Sequence, residues 1–413
     1  MLPNGLRVVH HPVFTTGLAI VSVTVDTGSR DEPEAYTGIA HLVEHLVFKG
    51  THKRKAHHIL NRIDAVGGEL NAYTTKEKTC YYAIVAEEYF ERALELLMDM
   101  AIGATFPDEE VEKEKAVVAE EIDMYRDNPE ESIQEDLDLL LYPTQTLGKP
   151  VLGTRETLEQ ITPDVLRNYH AANYRLDNMV VAITGPLKER RLQRAIDKYL
   201  RPLTPTPTPS GCWRPDRAPS TAVQNLTQTA TKPIQQAHLM LACGAYPILQ
   251  DKHMALSLVN NYLGGPTMNN KLSYTIREKY GLSYNLWSAY NPFTDSGYWC
   301  VYAGCEGGKV KRVEQLIHKE LATLRAQPLS TVALHKMKVQ FSGALRLQAE
   351  RLSQTNHAIA RDLLDLNRIL TLKELLQMVE AVTAKEIHDM ANELFAPEKL
   401  DTLAYLPENG KTS

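Results

Sequence analysis

The sequence predicts an α+β fold of two similar domains, each a largely antiparallel sheet covered by helices. Three observations carry this. A chain of 413 residues, 43% of them hydrophobic, has material for more than one core, and at about 150 residues per domain it divides into two or three. The stretch 203–210 reads LTPTPTPS, and its prolines fix φ and push the residues before them toward extended geometry, so no helix crosses it. The segments on either side, 1–202 and 211–413, each have the size of a domain and repeat one pattern.

That pattern runs in the same order twice. It begins with an alternating strand at 18–26 and again at 237–242, followed by a helix. A glycine-containing strand entry comes next, at Gly67-Gly68 and at Gly281. A tyrosine-rich strand follows at 80–85 and 297–303, and then an amphipathic helix at 89–102 and 310–325. Hairpins are expected to join most strands, with the helices on one face of each sheet.

With 45 Lys plus Arg against 51 Asp plus Glu, the net charge is −6, which argues against a nucleic-acid partner drawn by a basic field. No apolar run approaches the roughly 18–20 residues of a membrane span, so no membrane partner is expected. Residues 1–10 lack the basic start and apolar core of a secretory signal, which makes the cytoplasm the expected compartment, with the periplasm or an organelle as the alternative if a leader was removed. Cys80, Cys212, Cys243, Cys300 and Cys305 form no Cys-x-x-Cys pair and read as packing residues of a reducing compartment. None has a histidine partner by sequence, which argues against a cysteine hydrolase. Phe48-Lys49-Gly50-Thr51 inverts the lysine order of a P-loop and lacks its upstream glycine.

Residues 37–49 read TGIAHLVEHLVFK. Ile39, Leu42, Val43, Leu46 and Val47 are spaced for one buried helical face, and Gly50 ends the run. His41 and His45, four residues apart, then lie about 40° from each other and one turn along the axis, so both imidazoles point at one spot. Glu44 lies about 60° to the other side of His41, within reach of a water between the rings. Zinc suits such a His-x-x-Glu-His pattern, because catalytic zinc takes three protein ligands and keeps a fourth position for water. A lone histidine on an amphipathic helix calls for no function, but two with a carboxylate on one side do. His52, His57 and His58, in a basic turn-like stretch, are read as solvated surface.

The third ligand is sought in the acidic segment 107–126, PDEEVEKEKAVVAEEIDMYR. On a helical projection, Glu114 and Glu121 fall within about 20° of each other amid Val111, Val118, Ile122 and Tyr125, whereas Glu112, Glu120 and Asp123 fall on the opposite side. A carboxylate within an apolar stripe is costly without a partner. Glu121 is therefore the ligand candidate, and Glu114 is left to support the ligands from outside.

The phrase HLVEHLVFKGT with Glu121 in EKAVVAEEIDM resembles the pitrilysin or insulinase (M16) family of inverted-zincin metallopeptidases. The resemblance extends to NGLRVV at 4–9, GGELNAYTTKEKTCYY at 67–82, Asp127-Asn128-Pro129, and TIREKYGLSYN at 275–285. The chain has the length of the short subfamily, which includes bacterial M16 peptidases and the mitochondrial processing peptidase. The resemblance implies a zinc endopeptidase cleaving peptides or small unfolded polypeptides in a chamber enclosed by two chains, with one Zn2+ per chain on His41, His45 and Glu121 and Glu44 as general base. It further implies that Arg277 and Tyr284, in the second domain, face the site and contact the substrate backbone or the oxyanion. Asn71, Ala72, Tyr73 and Thr74 would form an edge strand that pairs with an extended peptide. The segment GGPTMNNKL at 264–272 matches only loosely where the processing peptidase's partner subunit has a glycine-rich loop. Since one chain holds both the zinc motif and the Arg277/Tyr284 pair, a homodimer is expected, with a heterodimer of related chains as the other arrangement. The alternative activity is that of a non-catalytic core or peptide-binding subunit.

Overall fold

A computed structural model describes residues 1–205, 217, 222 and 225–408. Two five-stranded sheets organise the chain. The first contains β1 (Arg7–Pro12), β2 (Leu18–Val25), β3 (Glu69–Thr74), β4 (Thr79–Ala86) and β5 (Met179–Gly185), in the order β1-β5-β2-β4-β3. The second contains β6 (Thr227–Lys232), β7 (Ala237–Gly244), β8 (Ser283–Pro292), β9 (Gly297–Cys305) and β10 (Asp401–Pro407), in the order β6-β10-β7-β9-β8. The two orders are the same order. In each sheet the outer pair, β1 with β5 and β6 with β10, is parallel and every other pair is antiparallel. The expected repeat is therefore present element by element, including the helices Phe90–Gly103 and Val310–Ala326 after the tyrosine-rich strands.

The central strands β2, β5, β7 and β9 are buried at nearly every residue, on both faces. Ala19, Val21, Val23 and Val25 of β2 are fully buried, and the Phe90–Gly103 helix packs against β2 and β4. In the second sheet Leu239, Leu241, Trp299 and Val301 join the helices His253–Gly264, Val310–Ala326 and Ala384–Leu394 in one cluster.

Helices do not, however, stay on one face of each sheet. The second face of the first sheet receives the Leu352–Asp365 helix, which comes from the other half of the chain. Its Asn356, fully buried, accepts a hydrogen bond from Ser22 Oγ at 2.6 Å and lies 3.1 Å from Thr184 Oγ1. The second face of the other sheet receives the Pro129–Leu141 helix, whose Ile133, Leu137 and Leu141 bury against Met240, Cys300 and Tyr405.

The compact units are accordingly Met1–Asp123, Lys149–Arg217 and Gln348–Leu370 on one side, and Met124–Gly148, Ala218–Leu347 and Thr371–Ser413 on the other. The boundary expected at 203–210 divides the strands as read from sequence but not the helices, because periodicity marks a helix's apolar face and not the sheet that receives it. Residues 206–210 of that Thr/Pro linker lie outside the described residues. His57 and His58 begin the Ala56–Asp64 helix rather than lying in a turn, and both are exposed, as read for a solvated surface. Cys80, Cys243, Cys300 and Cys305 are buried free thiols, as expected for packing residues; Cys212 lies outside the described residues.

The segment that aims the motif is set by Gly38, which caps the Ile39–Leu46 helix at φ +96°. A Cβ there would stand 2.4 Å from the carbonyl oxygen of Leu152. Gly38→Ala is expected to lower stability by about 2–4 kcal/mol through left-handed strain plus the clash. Denaturant unfolding checks this, and an unchanged midpoint would show that the helix start tolerates a side chain.

Candidate active site

The Ile39–Leu46 helix buries Ile39, Leu42, Val43 and Leu46, which leaves His41 and His45 on a common side with their rings 4.6 Å apart. Its first amides are held by Glu32, whose two carboxylate oxygens accept from the backbone N–H groups of Gly38 and Ala40, both at 2.8 Å. A carboxylate at a helix N-terminus answers unpaired donors and the helix dipole together. Burial nonetheless pushes the Glu32 carboxyl well above its ordinary range.

The acidic helix, Asp108–Asp127, buries Val111, Glu114, Val118 and Ile122. Glu120 is exposed, and the side chain of Glu121 retains 25% of its exposure. The projection made from the sequence thus separates the two neighbouring carboxylates in the sense expected. Glu121 Oε2 stands 3.6 Å from His45 Nε2 and 3.9 Å from His41 Nε2. Glu114 turns to the far nitrogen of His45, with Oε2 at 3.2 Å from Nδ1, and its other oxygen pairs with Lys49 Nζ at 2.7 Å.

These residues fit a metal. One ligand atom from each of His41, His45 and Glu121 can be chosen so that all lie within 4.8 Å of one another. Ligands about 2.1 Å from a tetrahedral ion stand about 3.4 Å apart, close to the measured separations. His41 is held neutral, its pKa lowered to about 3 by burial and then by His45, and neutral imidazole is the form that binds zinc. Its Nδ1 is buried without a hydrogen-bond partner among the described residues, whereas the Glu114 bond fixes the His45 ring from behind.

Glu44 points to the remaining side. Thr74 Oγ1 donates to its Oε2 at 2.5 Å, and desolvation raises its pKa against the lowering effects of Thr74 and His45. A carboxylate poised above its usual range is suited to take a proton near neutral pH.

Residues 8–155 match the insulinase model of peptidase family M16, and residues 160–341 match the M16 inactive domain. The chain is 32% identical over 395 residues to the uncharacterized zinc protease YmxG of Bacillus subtilis, covering 96% of this chain and 95% of the relative. It belongs to peptidase family M16. An uncharacterized zinc protease of Mycobacterium leprae is 32% identical over 398 residues, covering 95% of this M16 chain and 88% of the relative. Two solved structures share the fold. A protease from Helicobacter pylori has a TM-score of 0.91 at 22% identity, covering 98% of each chain. A peptidase M16 inactive domain from Pseudomonas fluorescens has a TM-score of 0.87 at 19% identity, covering 100% of this chain and 98% of the other.

The other residues singled out in this M16 sequence fall into two places. Asn71, Ala72, Tyr73 and Thr74 lie on β3, the edge of the first sheet, with Tyr73 turned against Tyr82 and His357. Arg277 and Tyr284 belong to the other unit, where the guanidinium sits 5.9 Å from the centre of the tyrosine ring and Tyr284 is 78% exposed. Sequence reasoning missed Lys49 and Glu32, and gave Thr74 only a strand role. Lys49 had a signal, since it follows His45 by one helical turn; the bonds of Thr74 and Glu32 join residues far from helical spacing. Among the described residues no helix is long and apolar enough to cross a membrane.

Proposed function

We propose that this M16 chain is a zinc-dependent endopeptidase that hydrolyses peptides or small unfolded polypeptides. The observation that supports it most is the convergence of His41, His45 and Glu121 ligand atoms within 4.8 Å, with the Glu44 carboxylate held beside them by Thr74. One zinc per chain, held by those three residues, would supply a Lewis acid for the scissile carbonyl and make a water ionise near neutral pH. Glu44 takes the proton of the attacking water and passes it to the departing amine. Glu114, backed by Lys49, keeps the His45 ring oriented. The free edge of β3, carrying Asn71 to Thr74, offers backbone groups to an extended peptide, which selects for unfolded substrates rather than for a sequence. Arg277 and Tyr284 serve the substrate backbone or the developing oxyanion, the phenolic hydroxyl as donor.

A chain that carries both the motif and the Arg277/Tyr284 pair has no need of an unlike subunit, and we place the activity in a homodimer that encloses its substrates. The test is cleavage of an unstructured peptide library with and without a chelator. Expected are cuts that stop on chelation, return on adding zinc, and spare a tightly folded protein too large to be enclosed. Chelator-resistant cleavage, or an active monomer in sedimentation, would reject the reading.

A further inference from the structure

Tyr284 owes its exposure to an irregularity in β8. Along the β8–β9 ladder Ser283 faces Cys305 and Asn285 faces Gly304, so Tyr284 is an extra residue with no partner of its own. Such a bulge turns a side chain out of the regular alternation, and an edge strand has nothing on its outer side to enforce it. Something else must hold the strand in that register. Ser283 Oγ donates to the Asn285 carbonyl at 3.0 Å, which closes the bulge locally. Gly281 precedes it at φ +62°, with its amide bonded to the Arg277 carbonyl at 2.9 Å.

Further along, Ser288 Oγ donates to Asn260 Oδ1 at 2.8 Å and the Tyr290 hydroxyl to the Tyr246 carbonyl at 2.6 Å, and at the bulge itself a further restraint comes from the Pro129–Leu141 helix. Asn128 caps that helix by accepting from the Glu130 amide at 3.1 Å, and Pro129 occupies its first turn. The sequence segment Asp127-Asn128-Pro129, which the proposed chemistry does not use, thereby fixes where Glu130 stands. The Glu130 carboxylate is shared between two residues of β8. Asn285 Nδ2 donates to Oε2 at 2.6 Å and the indole Nε1 of Trp287 donates to Oε1 at 3.3 Å. Trp287 is itself stacked on Tyr302, centroids 5.2 Å apart and planes 19° from parallel, and the Tyr302 hydroxyl is bonded to His238 Nδ1 at 2.7 Å. One carboxylate therefore grips the strand at the bulge and again two residues on, against a rigid aromatic support.

We infer that Glu130 is a positioning residue that holds the β8 bulge in register and so presents Tyr284, with Arg277 beside it, to the substrate. The inference rests on the peptidase reading above for the use of Tyr284, but not for the presence of the bulge. Without the grip, the bulge can close while the pairs from Asn285–Gly304 onward stay, so that Tyr284 falls opposite Cys305 in a regular ladder and loses its aim. Charge-assisted bonds of this kind are among the stronger ones.

The test uses the full-length chain loaded with zinc and an unstructured fluorogenic decapeptide. Glu130→Ala should lower kcat about tenfold with KM changed less than twofold, as for an interaction realised in the transition state. In a Tyr284→Phe background the same change should cost less than about twofold, because residues acting as a unit are not additive. Trp287→Phe removes the indole donor but keeps an aromatic ring to stack on Tyr302, so it serves if Glu130→Ala folds poorly; its loss should be smaller and should vanish in the same background. Amide hydrogen exchange should quicken at 283–287 in the Glu130 variant and not in β3. Losses that add in the double variant, or unchanged exchange at 283–287, would overturn the inference while leaving the peptidase intact. If the wild type bound zinc and cut nothing, the peptidase reading would fall instead, and exchange at 283–287 would still decide whether Glu130 holds the bulge.

Discussion

Glu44→Gln is expected to leave zinc bound and to lower turnover about 10³-fold, within the range that general acid–base groups supply. Gln retains the length of the side chain and can still accept from Thr74, so neither the helix nor the ligand atoms of His41, His45 and Glu121 need move. What disappears is the basic oxygen. The pH profile offers a second reading of the same group. Burial is the largest influence on Glu44 and raises its pKa, and the proposed role of base belongs to the deprotonated form. Activity is therefore expected to fall, as pH is lowered, above the ordinary carboxylate range. The residual rate of the Gln variant should lack that limb. Metal content by elemental analysis alongside kcat decides the matter: a Gln variant that cut the peptide at near wild-type rate would remove Glu44 from the reaction.

How much of this was legible beforehand depends on the range of the interaction. His41, Glu44 and His45 share one helix, and the separation of Glu121 from Glu120 is a property of another, so spacing alone could order them. The meeting of the two helices is not a spacing, and Lys49–Glu114 and Thr74–Glu44 depend on it. The fold divides the same way. Strand order repeats because each half carries the same local signals, whereas the exchanged helices could not be read, since Asn356 meets Ser22 across 334 positions of chain. A buried polar pair of that kind satisfies hydrogen bonds on a sheet face that apolar pattern leaves unspecified. Tyr284 shows a third limit. A tyrosine after Gly281 reads as strand, and only the ladder register reveals that it stands outside the pairing.

Glu121→Ala is expected to strip the zinc, or to weaken it by more than the roughly 10- to 100-fold that losing an outer partner costs, while its neighbour Glu120→Ala changes little. The contrast follows from where the helix points each carboxylate. Glu121 approaches both imidazoles, at 3.6 and 3.9 Å, and without it only the two rings remain, too few for a set of three. Glu120 lies one residue earlier on the exposed side and has only its charge to lose. Glu114→Ala should fall between, because it leaves all three ligand atoms in place but frees the His45 ring and leaves Lys49 without its carboxylate. Folding is not expected to obscure the order. Glu121 is not among the buried residues of its helix, so its truncation opens no cavity, and circular dichroism of the variants should coincide. Zinc titration of the three proteins gives the ranking directly. A Glu120 variant that lost metal while the Glu121 variant kept it would contradict the orientation of the acidic helix and the ligand set with it.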